Sequence, residues 1–423
     1  MLTLIRLLAI VLSLFLIGGC QAMPQNSNTV HLTLWHGVNP PANRDVLQGL
    51  VDRFNQTHPQ IQVESLYVGQ GDQQIPKILA AVVGNASPNL LWYAPTITGQ
   101  LIELEAIEPL DQWWQTFPQK AELDPTLLES MTWEEHIWSV PFSTNNVGIF
   151  YRPSRFTAAG ITELPQTWAE LRSIAAQLTQ PEQEKFGMLL PLGKGEWTVF
   201  MWLPFMWSAG GEFTLNPPGE SNSSSPNIQL VNDGAIEALE FWQSLIADGS
   251  AILSQPERGY ELDDFLSGKV AMQLTGPWTL GQLRQTGIDF AVMPIPTQRK
   301  PATSIGGENL FLFKATPAAE QAALTFLEYV LSEAFQTEWA TATGYLPVNL
   351  KSRQSQIYQQ FVSEQPAFQV FLNQAKDGRS RPIFPGYSRL SDSLGRAIES
   401  VLLHQQTAET ALQTAQRRLG DRS

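Results

Sequence analysis

The protein is a chain of 423 residues that carries a net charge of −14 at pH 7. So acidic a chain is not expected to bind nucleic acid or an anionic membrane surface. A chain of about four hundred residues exceeds what one hydrophobic core usually serves, so we expect two lobes.

The N-terminus reads as a targeting segment rather than as part of the fold. One arginine, Arg6, precedes an apolar run at 7–17, and Gly18-Gly19-Cys20 follows at once. This pattern predicts a secretory signal peptide at 1–20. The string ending in Cys20 resembles the lipobox of bacterial lipoproteins, which implies that Cys20 is lipidated. The alternative, an ordinary signal peptide beside a stray cysteine, would leave an odd free thiol in an oxidising compartment. Residues 21–29 are polar and are predicted to form a flexible tether.

Short β-rich runs alternate with amphipathic stretches after residue 30, which predicts βαβ units and a largely parallel sheet. The expected elements are strands at 31–35, 61–67 and 90–93 and helices at 45–55 and 75–83. Ligands of open α/β sheets bind beyond the carboxyl ends of such strands. We therefore expect Trp35, His36, Tyr67 and Tyr93 to lie near a cleft.

A second lobe is predicted to begin at the compact apolar strand at 147–151. The further expected elements are helices at 167–178 and 232–247, strands at 268–275, 289–294 and 309–314, and mostly helix after Pro317. We expect residues 30–145 and 294–317 to form the first lobe. Residues 146–293 and 318–423 are expected to form the second.

Motifs of common enzyme classes are missing from the sequence. There is no phosphate-binding glycine loop, no Gly-x-Ser-x-Gly nucleophile elbow and no His-Glu-x-x-His zinc helix. The acidic runs at Glu134-Glu135 and Asp263-Asp264 are better explained as solvated surface. We expect no cofactor, no metal and no enzymatic activity. The thirteen tryptophans fit either a packed core or ring platforms for sugars.

Four strings, taken in chain order, resemble one family. They are Pro141-Phe142-Ser143 with Gly148-Ile149-Phe150-Tyr151, Leu266 to Met272 with Gly276-Pro277-Trp278, Ser304-Ile305-Gly306-Gly307, and Gly344-Tyr345-Leu346-Pro347-Val348. The resemblance is to the extracytoplasmic solute-binding proteins that serve ATP-driven sugar and polyol importers. It implies a two-lobed, type II periplasmic-binding-protein fold of the α/β class that closes on a hinge. It also implies a permease partner, and we expect a monomer anchored only by its lipid.

Within that family the chain most resembles the binding proteins for glycerol 3-phosphate and glycerophosphodiesters. The resemblance implies that Arg389 grips a phosphate. The other ligand-binding residues that it implies are Tyr67, Thr144, Asn145, Trp197, Thr275, Gly276, Trp278, Gly307 and Tyr345. The chain departs from the pattern at Ala94, where those proteins carry a carboxylate, and Glu308 is a possible replacement.

Two other functions remain open from the sequence. A neutral-oligosaccharide binder of the same fold is favoured by the many tryptophans and by Ala94. A secreted glycoside hydrolase would require two carboxylates facing each other across a cleft.

Overall fold

The computed structural model describes residues 29–193, 195–216, 227–254 and 262–420. The predicted signal peptide, Cys20 and nearly all of the tether lie outside the described residues. No helix within the described ranges is long and apolar enough to cross a membrane.

Two five-stranded mixed sheets organise the chain. The first sheet has the spatial order Ile61–Tyr67, Val30–His36, Leu90–Tyr93, Asn309–Leu312 and Val140–Pro141. Its first three strands are parallel, and Asn309–Leu312 runs antiparallel to both neighbours. The strands predicted at 61–67 and 90–93 are confirmed at those bounds.

The second sheet is built in a similar way. Its spatial order is Ala251–Leu253, Phe186–Leu190, Val270–Thr275, Gly148–Tyr151 and Ala291–Met293. Gly148–Tyr151 is antiparallel to both of its neighbours. Two small antiparallel strand pairs are also present, Thr132–Trp133 with His136–Ile137 and Thr214–Asn216 with Asn227–Gln229.

Helices cover both faces of each sheet, which makes two lobes with separate cores. On the first sheet the packed helices are Pro41–Thr57, Ile75–Val83, Thr98–Glu103, Pro317–Leu331 and Glu333–Thr343. On the second they are Pro153–Ala158, Trp168–Gln177, Glu196–Ser208, Asp233–Ala247, Asp263–Leu266, Leu280–Thr286, Gln356–Ser363, Pro366–Gln374, Tyr387–Leu402 and Ala408–Gly420. Shorter helices occupy Asp111–Thr116, Leu128–Met131 and Leu350–Gln354.

The structure corrects the predicted lobe boundary after Pro317. Phe326 and Leu327 share one buried cluster with Leu32 and Leu34 of the first sheet, and Trp339 joins the same cluster. Helices Pro317–Leu331 and Glu333–Thr343 therefore belong to the first lobe, although the prediction placed them in the second. Their apolar stripe alone could not reveal which sheet they cover, because both sheets offer an apolar face.

Three short strands form a sheet between the lobes, and two of them lie on segments that cross from one lobe to the other. Their spatial order is Gly378–Arg379, Thr303–Gly306 and Asn145–Asn146. Thr303–Gly306 leads directly towards Asn309–Leu312 of the first sheet, and Asn145–Asn146 leads towards Gly148–Tyr151 of the second. This crossing sheet places several side chains at the boundary between the lobes.

Candidate functional site

A cavity of about 440 Å³ lies between the lobes. This volume falls within the range of about 300 to 1,000 Å³ that is typical of small-molecule sites. Tyr67, Tyr93 and Thr275 are the last residues of their strands, and all three line the cavity. The site therefore lies where the carboxyl ends of strands from both sheets face each other.

Most of the residues singled out from the sequence meet in this cavity. The ones that line it are Tyr67, Asn145, Trp197, Thr275, Trp278, Gly307 and Tyr345. They come from strand ends, the crossing sheet, one helix start, and the turn and loop that hold Trp278 and Tyr345, so positions far apart in the chain converge. Thr144, Gly276 and Arg389 are not among the lining residues.

Three aromatic rings form a continuous wall. The ring centroids of Trp197 and Trp278 are 6.0 Å apart, and those of Trp278 and Tyr345 are 6.4 Å apart. Trp278 packs against the cores of both lobes, and its carbonyl oxygen accepts a hydrogen bond of 3.3 Å from Asn43. The wall thus spans the boundary between the lobes and supplies apolar aromatic surface to the cavity.

Gly307 permits a close backbone crossing beside Asn145. Its φ is +128°, and a Cβ there would overlap the carbonyl oxygen of Ser143. A Cβ on the neighbouring Gly306 would overlap the Asn145 amide oxygen and the Phe200 ring. These glycines let the crossing strand approach Asn145 closely, and Gly307 needs a conformation that other residues rarely adopt.

Thr144 and Gly276 support the wall rather than form it. The Thr144 hydroxyl donates to the Gly306 carbonyl at 3.1 Å, and its backbone pairs with Leu346. A Cβ on Gly276 would overlap the indole of Trp278. Gly276 therefore contributes to the site by leaving space for the Trp278 ring.

The structure does not place Arg389 in the cavity, which contradicts its predicted role in binding a phosphate. This arginine is exposed on helix Tyr387–Leu402 and does not line the cavity. The buried stripe of that helix includes Tyr387, Leu390, Ser391 and Leu394. A residue two positions after Tyr387 lies on nearly the opposite face, because each residue turns the helix by about 100°. The resemblance matched the residues around Arg389 in sequence, but it could not show which face of the helix Arg389 occupies.

Within the described residues, two arginines do line the cavity, and one of them is Arg381, which is 9% exposed. It forms an ion pair with Glu196, which also lines the cavity. A second lining arginine, Arg44, lies with its guanidinium carbon 3.7 Å from the centroid of the Tyr67 ring. Arg44 also donates to the Val38 carbonyl at 2.9 Å. Sequence reasoning missed both arginines, since neither lies in a recognisable string.

Carboxylates outnumber cations among the lining residues that the structure describes. The carboxylates are Glu196, Asp263 and Glu308, and the cations are Arg44 and Arg381. An anionic ligand would therefore enter a cavity with a negative charge balance.

Sequence reasoning also missed a set of buried neutral atoms. Gln70 and Gln74 are 4% and 1% exposed, and both line the cavity. Within the described ranges, no hydrogen-bond partner is present for Gln70 Nε2, Gln74 Oε1, Trp92 Nε1, Asn145 Oδ1 or Thr275 Oγ1. A buried polar atom without a partner costs about 1 to 3 kcal/mol, so a ligand that satisfies these atoms gains affinity. The glutamine-rich string from Gln70 to Gln74 was the available sequence signal.

Comparison with known proteins gives the family of the chain. Residues 49–369 match the family described as bacterial extracellular solute-binding protein. A binding protein of Brucella abortus (strain 2308) is 27% identical over 302 residues, which cover 69% of this chain and 68% of that protein. The sn-glycerol-3-phosphate-binding periplasmic protein UgpB of Pectobacterium atrosepticum is 20% identical over 404 residues, 91% of this chain and 89% of its own length.

Solved structures identify the fold. Maltose-bound MalE3 of T. maritima superposes with a TM-score of 0.81 at 21% identity, covering 93% of this chain and 99% of that one. The predicted two-lobed α/β fold is thus confirmed as that of periplasmic sugar-binding proteins. Since the family match extends over most of the sequence, the chain belongs to the family of bacterial extracellular solute-binding proteins.

Proposed function

We propose that this solute-binding protein captures a neutral sugar or oligosaccharide between its lobes and delivers it to the permease of an ABC importer. The observation that carries the proposal is the set of neutral polar atoms in the cavity, on Gln70, Gln74, Asn145 and Thr275. Amides and hydroxyls match sugar hydroxyls, which both donate and accept hydrogen bonds.

The aromatic wall supports the same ligand class. Trp197, Trp278 and Tyr345 present ring faces, and the C–H faces of a pyranose pack against such rings. MalE3 of T. maritima, which shares the fold, is described with maltose bound. The volume of the cavity fits a small saccharide better than a long polymer.

Glycerol 3-phosphate or a glycerophosphodiester is the second candidate. It is favoured by the match to UgpB of Pectobacterium atrosepticum along most of both chains. Against it stand the exposed position of Arg389 and the pairing of Arg381 with Glu196. Because the buried Arg381 is already paired with Glu196, a desolvated phosphate would have to displace a carboxylate to form charge-assisted bonds with it.

A thermal-shift panel followed by calorimetric titration decides between these ligands. We expect maltose, maltotriose or another neutral saccharide to raise the melting temperature, since a ligand at one hundred times its Kd stabilises by about 2.7 kcal/mol. Glycerol 3-phosphate and glycerophosphocholine form the second arm. Heat of binding from either phosphate, with none from any saccharide, would overturn the proposal.

The sugar is expected to be recovered intact after binding. Incubation with the bound saccharide, followed by chromatography, should show stoichiometric binding and no cleavage. Turnover would instead support the glycoside hydrolase alternative, which requires a carboxylate pair across the cleft.

We also propose that Cys20 anchors the protein to a membrane through lipid. The proposal is supported by the lipobox-like string at Ile17 to Cys20. Cys20→Ser should abolish labelling by a palmitate analogue and release the protein from washed membranes. Ser27→Cys in the Cys20→Ser background is the matched control, because it restores a thiol outside the string. Unchanged labelling of Cys20→Ser would contradict the anchor.

A further inference from the structure

Arg381 and Glu196 form a buried charge cluster in the cavity wall. The Arg381 side chain is 7% exposed and that of Glu196 17% exposed, and an Arg381 nitrogen donates to Glu196 Oε1. The Tyr387 hydroxyl donates to the same oxygen at 3.2 Å, while Ser391 Oγ donates to Glu196 Oε2 at 2.6 Å. The guanidinium carbon of Arg381 also lies 4.5 Å from the Phe200 ring centroid.

One face of helix Tyr387–Leu402 holds Glu196 in place. Tyr387, Ser391 and Gly395 follow one another at intervals of four, so they lie on the same face of the helix. Tyr387 and Ser391 bond the carboxylate, and Gly395 lets the backbone of Gly195 approach, because a Cβ there would overlap the Gly195 nitrogen. Glu196 is the first residue of its own helix, where a negative charge is stabilised by the helix dipole.

Arg381 keeps its charge in this setting. Burial lowers the pKa of Arg381, but its interactions with Glu196, Tyr387 and Glu308 outweigh the effect of burial, so the pKa of Arg381 is raised overall. Glu196 and Glu308 therefore both stabilise the positive charge of the buried Arg381 guanidinium. A second anion at this guanidinium would have to compete with Glu196 and would be repelled by Glu308.

We propose that Glu196 is a specificity-determining residue, which occupies Arg381 and thereby excludes phosphorylated and carboxylated solutes from the cavity. This inference rests on the proposed function, because it explains how a cavity with a buried arginine can select neutral sugars. Replacing the carboxylate by an isosteric amide should convert Arg381 into an anion site, since a guanidinium binds phosphate through two parallel donors.

The test is Glu196→Gln, probed with inorganic phosphate and glycerol 3-phosphate at fixed ionic strength. Calorimetric titration should show phosphate binding at least about tenfold tighter than in the wild type, which corresponds to about 1.4 kcal/mol. The melting temperature of Glu196→Gln should rise in phosphate relative to chloride. Glycerol is the uncharged probe, and it should show no comparable gain.

Two further variants separate the proposal from a general change in charge. Glu212→Gln removes a carboxylate that also pairs with an arginine, Arg379, but that pair is exposed and does not line the cavity. Glu212→Gln should therefore not gain phosphate binding. The double variant Glu196→Gln with Arg381→Gln should lose the gain, because its cation is removed.

The following results would contradict the role proposed for Glu196. Wild-type protein that binds phosphate as tightly as Glu196→Gln, or a double variant that keeps the gain, would overturn the inference. If Glu196→Gln is unfolded in chloride, phosphate should restore its circular-dichroism signal, and failure to do so also counts against it. Titration of the wild type with neutral saccharides tests the proposed function independently, because that result does not depend on the phosphate arm.

Discussion

The uncharged side chains on which the proposed sugar site depends are of two kinds, aromatic rings and neutral hydrogen-bonding groups. Trp197, Trp278 and Tyr345 form the ring wall, whereas Gln70 and Gln74 contribute amide atoms from the first lobe. The rings contribute apolar contact with little loss of rotamer freedom, and the amides supply orientation. Substitutions in the two groups should therefore change affinity for different reasons.

We expect Trp278→Ala to weaken binding of the neutral saccharide by about 1 to 3 kcal/mol. The indole lines the cavity and contacts the rings on either side of it, so its loss removes stacking area. Calorimetric titration measures the effect. Trp113→Ala is the control, because Trp113 stacks on Phe117 at 4.8 Å and does not line the cavity. Normal affinity combined with easy unfolding of Trp278→Ala would show that the ring is only core.

His36 makes stability depend on pH. Burial, followed by the charge of Arg44, lowers the pKa of His36 to about 4 from 6.5. The unfolded chain therefore binds the extra proton first, so stability is fully present above pH 6.5 and is lost as the pH falls towards 4. A shift of this size amounts to about 3 kcal/mol.

Urea unfolding at pH 7.5 and 4.5 measures this loss. His36→Gln should lose less stability between the two pH values than the wild type, because its side chain does not titrate. His31→Gln, on the same strand but exposed, is the matched control. An unchanged pH dependence in His36→Gln would refute the assignment to His36.

Helix Glu196–Ser208 contributes Glu196, Trp197 and Phe200 to the cavity wall. Its sequence did not predict a helix, unlike those of other helices in the chain. All of its residues from Thr198 to Ser208 are buried. A helix that is apolar on every side has no 3.6-residue period, so the sequence pattern did not predict it. By contrast, the helix predicted at 232–247 has one polar face and is found at Asp233–Ala247. The helix predicted at 75–83 is found at Ile75–Val83.

Replacing two helical glycines by alanine should change the stability of the protein in opposite directions. Gly49→Ala should stabilise the protein by up to about 1 kcal/mol, because alanine favours helix and a Cβ there meets nothing within 4 Å. Gly395→Ala should destabilise it by about 1 to 3 kcal/mol, because the same propensity gain is outweighed by overlap with Gly195. Thermal unfolding compares the two variants. Equal stabilisation by both would show that the Gly195 backbone can retreat without cost.

The whole molecule is two separately packed lobes joined by a narrow crossing sheet. The two cores share few side chains, and Trp278 is one that packs against both. Because the crossing strands are short, changes in a few backbone angles can reorient one lobe relative to the other. A ligand that contacts both lobes would favour the arrangement that closes the cavity.

Small-angle scattering should therefore show a smaller radius of gyration with saturating neutral saccharide than without it. The physical reason is that contacts to both cavity walls are completed only when the lobes approach. A saccharide that gives no heat of binding, at the same concentration, controls for solvent contrast. Identical profiles with and without the bound sugar would contradict closure.

The sequence by itself determined the α/β class, the division into lobes and many element bounds, because these follow from local periodicity and chain length. The family resemblance also led to Trp197, Trp278 and Tyr345, which line the cavity, and the last two stand in the quoted strings. Only the tertiary structure decided which arginines face the cavity. Arg389 is exposed on helix Tyr387–Leu402, whereas Arg381 is buried and paired with Glu196 from a distant helix. The same holds for helices Pro317–Leu331 and Glu333–Thr343, whose apolar stripes fit either sheet. Charge pairing and the choice of partner surface depend on contacts between residues far apart in the chain, and local patterns carry no information about them.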